Sequence, residues 1–120
     1  MNITGFNINL TSEDPDRLRA FYRDVVGVTP NPMIGPAGFT AAGVGFVIDG
    51  HSETQGAAKE PTRLMFNFHV EDIAAEQARL EGLGVKFVRP ATQEPWGGFM
   101  ATFEDPDGNY AQLIEFPKRG

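Results

Sequence analysis

Apolar and polar residues alternate along two short stretches of the chain, and each stretch runs directly into a helical pattern. In the first, Phe6, Ile8 and Leu10 fall on one side of an extended segment and Asn7, Asn9 and Thr11 on the other. In the second, Phe66, Phe68 and Val70 oppose Met65, Asn67 and His69. Alternation of this kind predicts a strand with one face on a core, so the apolar sides are expected to pack on the helices that follow. The first helix is predicted over Asp14 to Val26. There Leu18, Phe21, Tyr22 and Val25 make one apolar stripe, Asp14 can cap, Pro15 suits the first helical position and Gly27 closes the segment. The second is predicted over Asp72 to Leu83, where Ile73 and Leu80 lie one heptad apart among good helix formers and Gly84 closes the segment. Asn7-Ile8-Asn9-Leu10-Thr11-Ser12-Glu13-Asp14 lines up with Met65-Phe66-Asn67-Phe68-His69-Val70-Glu71-Asp72. One supersecondary unit is thus written twice, about 1–60 and 61–120, whereas a solenoid needs three or more copies.

Further short strands are expected at Phe39 to Ala42 and Val44 to Asp49 in the first half, and at Lys86 to Arg89, Phe99 to Glu104 and Tyr110 to Phe116 in the second. Between the last two, Asp105-Pro106-Asp107-Gly108-Asn109 predicts a tight turn, because Pro presets one dihedral and Gly or Asn accepts positive φ. Thr29 to Gly38 and Gly50 to Thr62 carry Pro, Gly and Ser without periodicity and are expected to be loops, with Glu60-Pro61 as the join between the halves. Gly43 and Gly45 alternate, but no Gly-x-Gly-x-x-Gly enters a helix, which argues against dinucleotide binding.

Length and composition narrow the possibilities. The 120 residues, 41% of them hydrophobic and ten of them Phe, suffice for one globular domain with a closed core and exclude two full-sized ones. Sixteen Asp and Glu against ten Lys and Arg leave a formal charge of -6, which would repel phosphate backbones and anionic lipid, so no nucleic acid or membrane partner is expected. The absence of cysteine excludes disulfides, thiolate metal sites and a Cys nucleophile. Neither a secretory signal pattern nor a run of about 18 apolar residues is present, and a cytoplasmic protein is expected.

A β-α-β-β-β unit repeated in one chain of this length, entering its first helix with Asp14-Pro15-Asp16-Arg17-Leu18-Arg19-Ala20-Phe21-Tyr22, carrying Trp96-Gly97 and ending on Asp105-Pro106-Asp107-Gly108-Asn109, resembles the vicinal oxygen chelate superfamily. That group includes glyoxalase I, extradiol dioxygenases and the bleomycin and fosfomycin resistance proteins. The resemblance implies an α+β fold in which two tandem units form a curved mixed sheet around a concave cleft. It also implies a homodimer, to which exposed strand edges would contribute. In the metal-dependent relatives a His near the start of each unit's first strand and a Glu on the last strand hold a divalent ion. The matching positions here are Asn7, Met65 and Gln112. Neutral amides and a thioether are poor donors for such an ion, so no metal or other cofactor is expected. A substitute set of His69, Gln112 and Asn7 is the alternative. Glu115 is expected to point away from Gln112 by the alternation of a strand.

The polar row Asn7, Asn9, Met65, Asn67, His69 and Gln112 either lines a ligand cleft or simply faces water. Trp96 is the aromatic candidate for stacking on a flat ligand, or else a cover for the core edge, with Phe99 and Tyr110 as further wall candidates or core residues. His69 is the candidate general base if the protein is an enzyme, since imidazoles exchange protons near neutral pH, and otherwise a surface residue. Ser12 and Thr11 have no His and Asp partners legible for a nucleophilic triad. Two functions therefore compete. One is a metal-free module binding a small organic molecule, its negative charge favouring a cationic ligand. The other is a lyase, isomerase or dioxygenase-like enzyme with a divergent metal site or acid–base chemistry through His69.

Overall fold

A computed structural model describes residues 1–118 and divides the chain into two compact units, one spanning Met1–Gly56 and the other beginning at Ala57. The division falls ahead of Glu60-Pro61. Unit 1 contains β1 (Ile8–Thr11), α1 (Pro15–Ala20) continued by π-helical turns over Phe21–Val26, β2 (Thr29–Pro30), β3 (Gly38–Ala41) and β4 (Val44–Asp49). Unit 2 contains β5 (Phe66–His69), α2 (Ile73–Gly82), β6 (Phe87–Gln93), β7 (Phe99–Glu104) and β8 (Tyr110–Glu115). Each unit builds a four-stranded mixed sheet of the same plan, ordered β1-β4-β3-β2 and β5-β8-β7-β6. In both, the first strand lies parallel to the last and the other pairings are antiparallel. This is the α+β, twice-written β-α-β-β-β architecture expected from the pattern. No helix among the described residues is long and apolar enough to cross a membrane.

The helices start where the sequence places them. Asp14 accepts a hydrogen bond from Arg17 N at 3.3 Å, and Asp72 accepts one from Ala75 N at 3.1 Å, each satisfying a donor of the first turn. They close on Gly27 and Gly84, both at positive φ. The first helix departs from the α-helical stripe in its second half: Gly27 N and Val28 N both donate to Tyr22 O, at 3.0 and 2.8 Å. With the turn widened, Leu18 and Tyr22 are fully buried while Phe21 and Val25 are only half-buried. Tyr22 meets Phe46 edge-on, with ring centroids 6.1 Å apart, and Phe46 stacks on Phe39 at 5.3 Å. Phe6 does not join this core. It precedes β1 and is 80% exposed, because the strand begins only at Ile8, where β4 supplies partners.

In unit 2, Ile73 and Leu80 of α2 are buried, as are Ala101 and Phe103 of β7 and Ala111 and Leu113 of β8. The predicted turn forms. Asp105 Oδ1 accepts from Asp107 N at 2.9 Å and Asn109 N at 3.0 Å, and Oδ2 accepts from Asn109 Nδ2 at 2.9 Å. Two strands differ from expectation. Thr29 and Pro30 pair with Thr40 and Phe39 where the sequence predicts a loop, and β6 runs to Gln93 through two irregularities of register. The β3–β4 hairpin turns on Ala42 and Gly43, both at positive φ, which accounts for the glycine there without any phosphate-binding role.

Glu115 points to the helix side of its sheet. Its Oε1 accepts from Ile73 N at 2.9 Å, so two carboxylates, Asp72 and Glu115, serve the first turn of α2. Two outcomes follow for stability. Leu80→Ala is expected to cost about 2–5 kcal/mol in urea unfolding, against under about 0.5 kcal/mol for Leu83→Ala at its exposed neighbour, and equal costs would contradict this packing. Glu115→Ala is expected to cost about 1–2 kcal/mol by the same measurement, and no loss would contradict its capping role.

Candidate functional site

With the helix side of the second sheet assigned, the alternate residues of each strand form its opposite, open face. Register sets the neighbours: Asn67 lies beside Gln112, Gln112 beside Thr102, and Thr102 beside Arg89, making one polar row across all four strands. The next row is His69, Ile114, Met100 and Thr92. Gln112 Nε2 donates to Thr102 Oγ1 at 3.3 Å, and Thr102 is itself buried. Asn67 and His69 are exposed.

An aromatic cluster borders this face. The His69 ring lies 4.9 Å from that of Phe116 at 67°, and Phe116 lies 5.6 Å from Trp96 at 47°. Trp96 sits in the turn between β6 and β7 with its indole folded across Gly98. A Cβ at Gly98 would lie 1.9 Å from indole Cζ3 and 2.8 Å from Glu115 O, so only glycine lets the ring lie there. Trp96 and Phe116 remain about half exposed, at 48% and 53%.

The structure thus brings Asn67, His69 and Gln112 onto one face, with Trp96 beside it. Tyr110 shares their side of β8 and pairs with Glu104, and Met65 precedes β5 on the same alternation. Phe99 is placed otherwise. It pairs with Glu115, whose carboxylate reaches the start of α2, so Phe99 belongs to the helix side. Asn7 and Asn9 belong to unit 1 and are exposed. There Ile34 covers the open side of the sheet: a Cβ at Gly45 would lie 2.8 Å from Ile34 Cδ1 and 3.9 Å from Asn7 Cβ, and one at Gly38 would lie 2.7 Å from Ile34 Cβ. Thr102, Arg89 and Phe116 escaped the sequence analysis. Counting outward from the Asp105–Asn109 turn would have found Thr102, since the hairpin register opposes it to Gln112.

The electrostatics of the open face are muted. Arg89 Nη1 contacts Glu94 Oε1 at 2.5 Å and Lys86 Nζ contacts Glu104 Oε2 at 3.3 Å. A displaced ionisation occurs elsewhere, on the π-helical turns of unit 1. There the exposed Arg23 guanidinium donates to both carboxylate oxygens of Asp24, at 2.8 and 2.9 Å, and holds that carboxyl below its ordinary range. A solvent-open depression of about 600 Å³ is bounded by Lys59, Glu60, Pro61, Thr62 and Arg63, and none of the candidate residues lines it.

A divalent ion does not fit the donors present. The positions that the resemblance would assign to metal ligands hold Asn7, Met65 and Gln112, two carboxamides and a thioether with no formal charge. Gln112 also turns its amide nitrogen toward Thr102, and Glu115 is spent on α2. Among the described residues no three His, Cys, Asp or Glu side chains converge as metal ligands would.

Comparison with known proteins gives the family. A profile described as Glyoxalase/Bleomycin resistance protein/Dioxygenase superfamily matches residues 6–113. No curated protein matches the chain. Among solved structures, a protein of unknown function from Agrobacterium tumefaciens str. C58 superposes with a TM-score of 0.75 at 20% identity, covering 98% of this chain and 97% of that one. A structure described as lactoylglutathione lyase from Agrobacterium tumefaciens gives 0.71 at 22% identity, with 95% of each chain covered. A glyoxalase/bleomycin resistance protein/dioxygenase family enzyme from Burkholderia phytofirmans PsJN gives 0.73 at 18% identity, covering 91% of this chain and 95% of that one. Likeness at such identities is one of fold, while the profile spans most of the sequence: the chain belongs to the glyoxalase/bleomycin resistance protein/dioxygenase superfamily.

Proposed function

We propose that this protein binds a small organic molecule on the open face of the β5–β8 sheet, without a metal ion. One observation carries the proposal: the face around Gln112 offers neutral hydrogen-bonding groups and exposed aromatic rings, and the positions that the resemblance assigns to metal ligands hold Asn7, Met65 and Gln112. Carboxamides and aromatic surfaces suit the recognition of an organic ligand, and they lack the charge needed to fix an ion that polarises a substrate oxygen. His69 supports binding better than catalysis. Its ring packs on Phe116, and no carboxylate among the described residues is hydrogen-bonded to it to orient it as a base.

A thermal-shift screen of small molecules, run with and without divalent metal, tests this directly, because a ligand that binds only the native state raises its apparent stability. Organic ligands are expected to raise the Tm whether or not metal is present. A rise with metal alone, or with organic ligands only when metal is added, would overturn the proposal. Protein purified without chelator is expected to carry less than about one tenth of a metal equivalent per chain, and Gln112→Glu alone is expected not to create a tight site, since Met65 supplies no hard donor. Stoichiometric Zn, Ni, Mn or Fe, lost on Gln112→Ala, would restore a metalloenzyme.

A further inference from the structure

Binding on this face, as proposed above, leaves the chemical class of the ligand open, and the geometry points to a flat, neutral heteroaromatic that carries an amide edge, either a carboxamide or a lactam. The first support is the charge balance around the face. Arg89 is held by Glu94, Lys86 by Glu104, and the Glu115 carboxylate is turned to the other side of the sheet, where Ile73 N donates to it. Past the strand ends, Glu71 and Lys118 are exposed and of opposite sign. A cationic ligand meets no unpaired carboxylate on these strands and an anionic ligand no unpaired guanidinium, so the net charge of -6 on the whole chain does not select a cation here.

The second support is the hydrogen-bonding edge. Asn67 and Gln112 lie side by side on neighbouring parallel strands. Gln112 gives one N–H to Thr102, which leaves its Oε1 as an acceptor and its second N–H as a donor, and the exposed Asn67 carboxamide likewise supplies both donors and an acceptor. An amide edge presents the reciprocal pair, one N–H and one C=O. A carboxylate offers no donor to the Gln112 and Asn67 oxygens, and an ammonium offers no acceptor to their N–H groups.

The third support is shape. From Gln112 to Phe116, one residue past β8, the span is roughly 13 Å at about 3.3 Å per residue, which a fused-ring carboxamide covers together with a hydrogen bond at one end and a stacked ring at the other. At its far end Phe116 and Trp96 expose ring surface on which such a system stacks.

The test uses three isosteric probes, quinoline-3-carboxamide, quinoline-3-carboxylate and the cationic quinoline-3-carboxamidine. It follows the indole N–H cross-peak of Trp96, the single tryptophan. The carboxamide is expected to bind at least about tenfold more tightly than either charged probe, and Asn67→Ala, at an exposed position that does not endanger folding, is expected to weaken it about fivefold while leaving the charged probes unaffected. The assignment is overturned if a charged probe binds as tightly as the carboxamide, if Asn67→Ala changes nothing, or if none of the three moves the indole resonance. A charged ligand from the thermal-shift screen that moves this resonance would overturn the amide-edge class and leave binding on this face intact. A screen that yields no ligand of any charge would overturn binding itself.

Discussion

The packing of α2 on its sheet decides what every other residue of the second unit can do. Ile73 and Leu80 are buried with Ala101, Phe103, Ala111 and Leu113, and a strand offers only two sides. Once those odd-numbered positions of β7 and β8 are committed to the helix, Thr102 and Gln112 must emerge on the other face. Glu115 fixes the same parity through a polar contact, because its carboxylate reaches Ile73 N only from the helix side. Burial of apolar surface and satisfaction of a helix terminus thus agree, and a slip of one residue in β8 would break both.

The two units apply one plan to different chemistry. In the first, Leu18 and Tyr22 are buried with Phe39, Phe46 and Ile48, and the side left over is covered by Ile34 lying across Gly38 and Gly45. In the second, the corresponding side keeps a polar row of two carboxamides, a hydroxyl and a guanidinium, with aromatic rings at its border. A glycine under Ile34 and a glycine under Trp96 do the same physical job, admitting a large side chain against the backbone, but one lays an aliphatic cover on the sheet and the other holds an indole half in solvent.

Much of the fold was legible because it rests on local signals. Alternation marked β1 and β5, capping aspartates and closing glycines marked the helices, and the Asp105–Asn109 segment marked the last hairpin. Phe6 was misjudged because alternation says which side a residue takes and not where pairing begins, and β4 offers no partner before Ile8. The π-helical turns left no trace in a stripe that reads equally well as α-helix. Of the candidate site, Asn67, His69 and Gln112 followed from strand parity alone. Phe99 needed the register of the hairpin, and Phe116 needed knowledge that the chain beyond β8 stays near His69 and Trp96, a nonlocal fact that no spacing encodes.

The resemblance assigns Gln112 to a position where a carboxylate would help hold a metal ion, and a carboxamide there brings a hydrogen-bonding edge in place of a charge. The side-chain amide resonances of Gln112 and of its strand neighbour Asn67 report most directly on whether an ion sits at this face. On titration of nitrogen-15-labelled protein with Mn(II), a paramagnetic ion that broadens resonances of groups near it, both pairs of cross-peaks should persist past one equivalent. Selective loss of the Asn67 and Gln112 signals, complete at one equivalent per chain, would contradict metal-free binding.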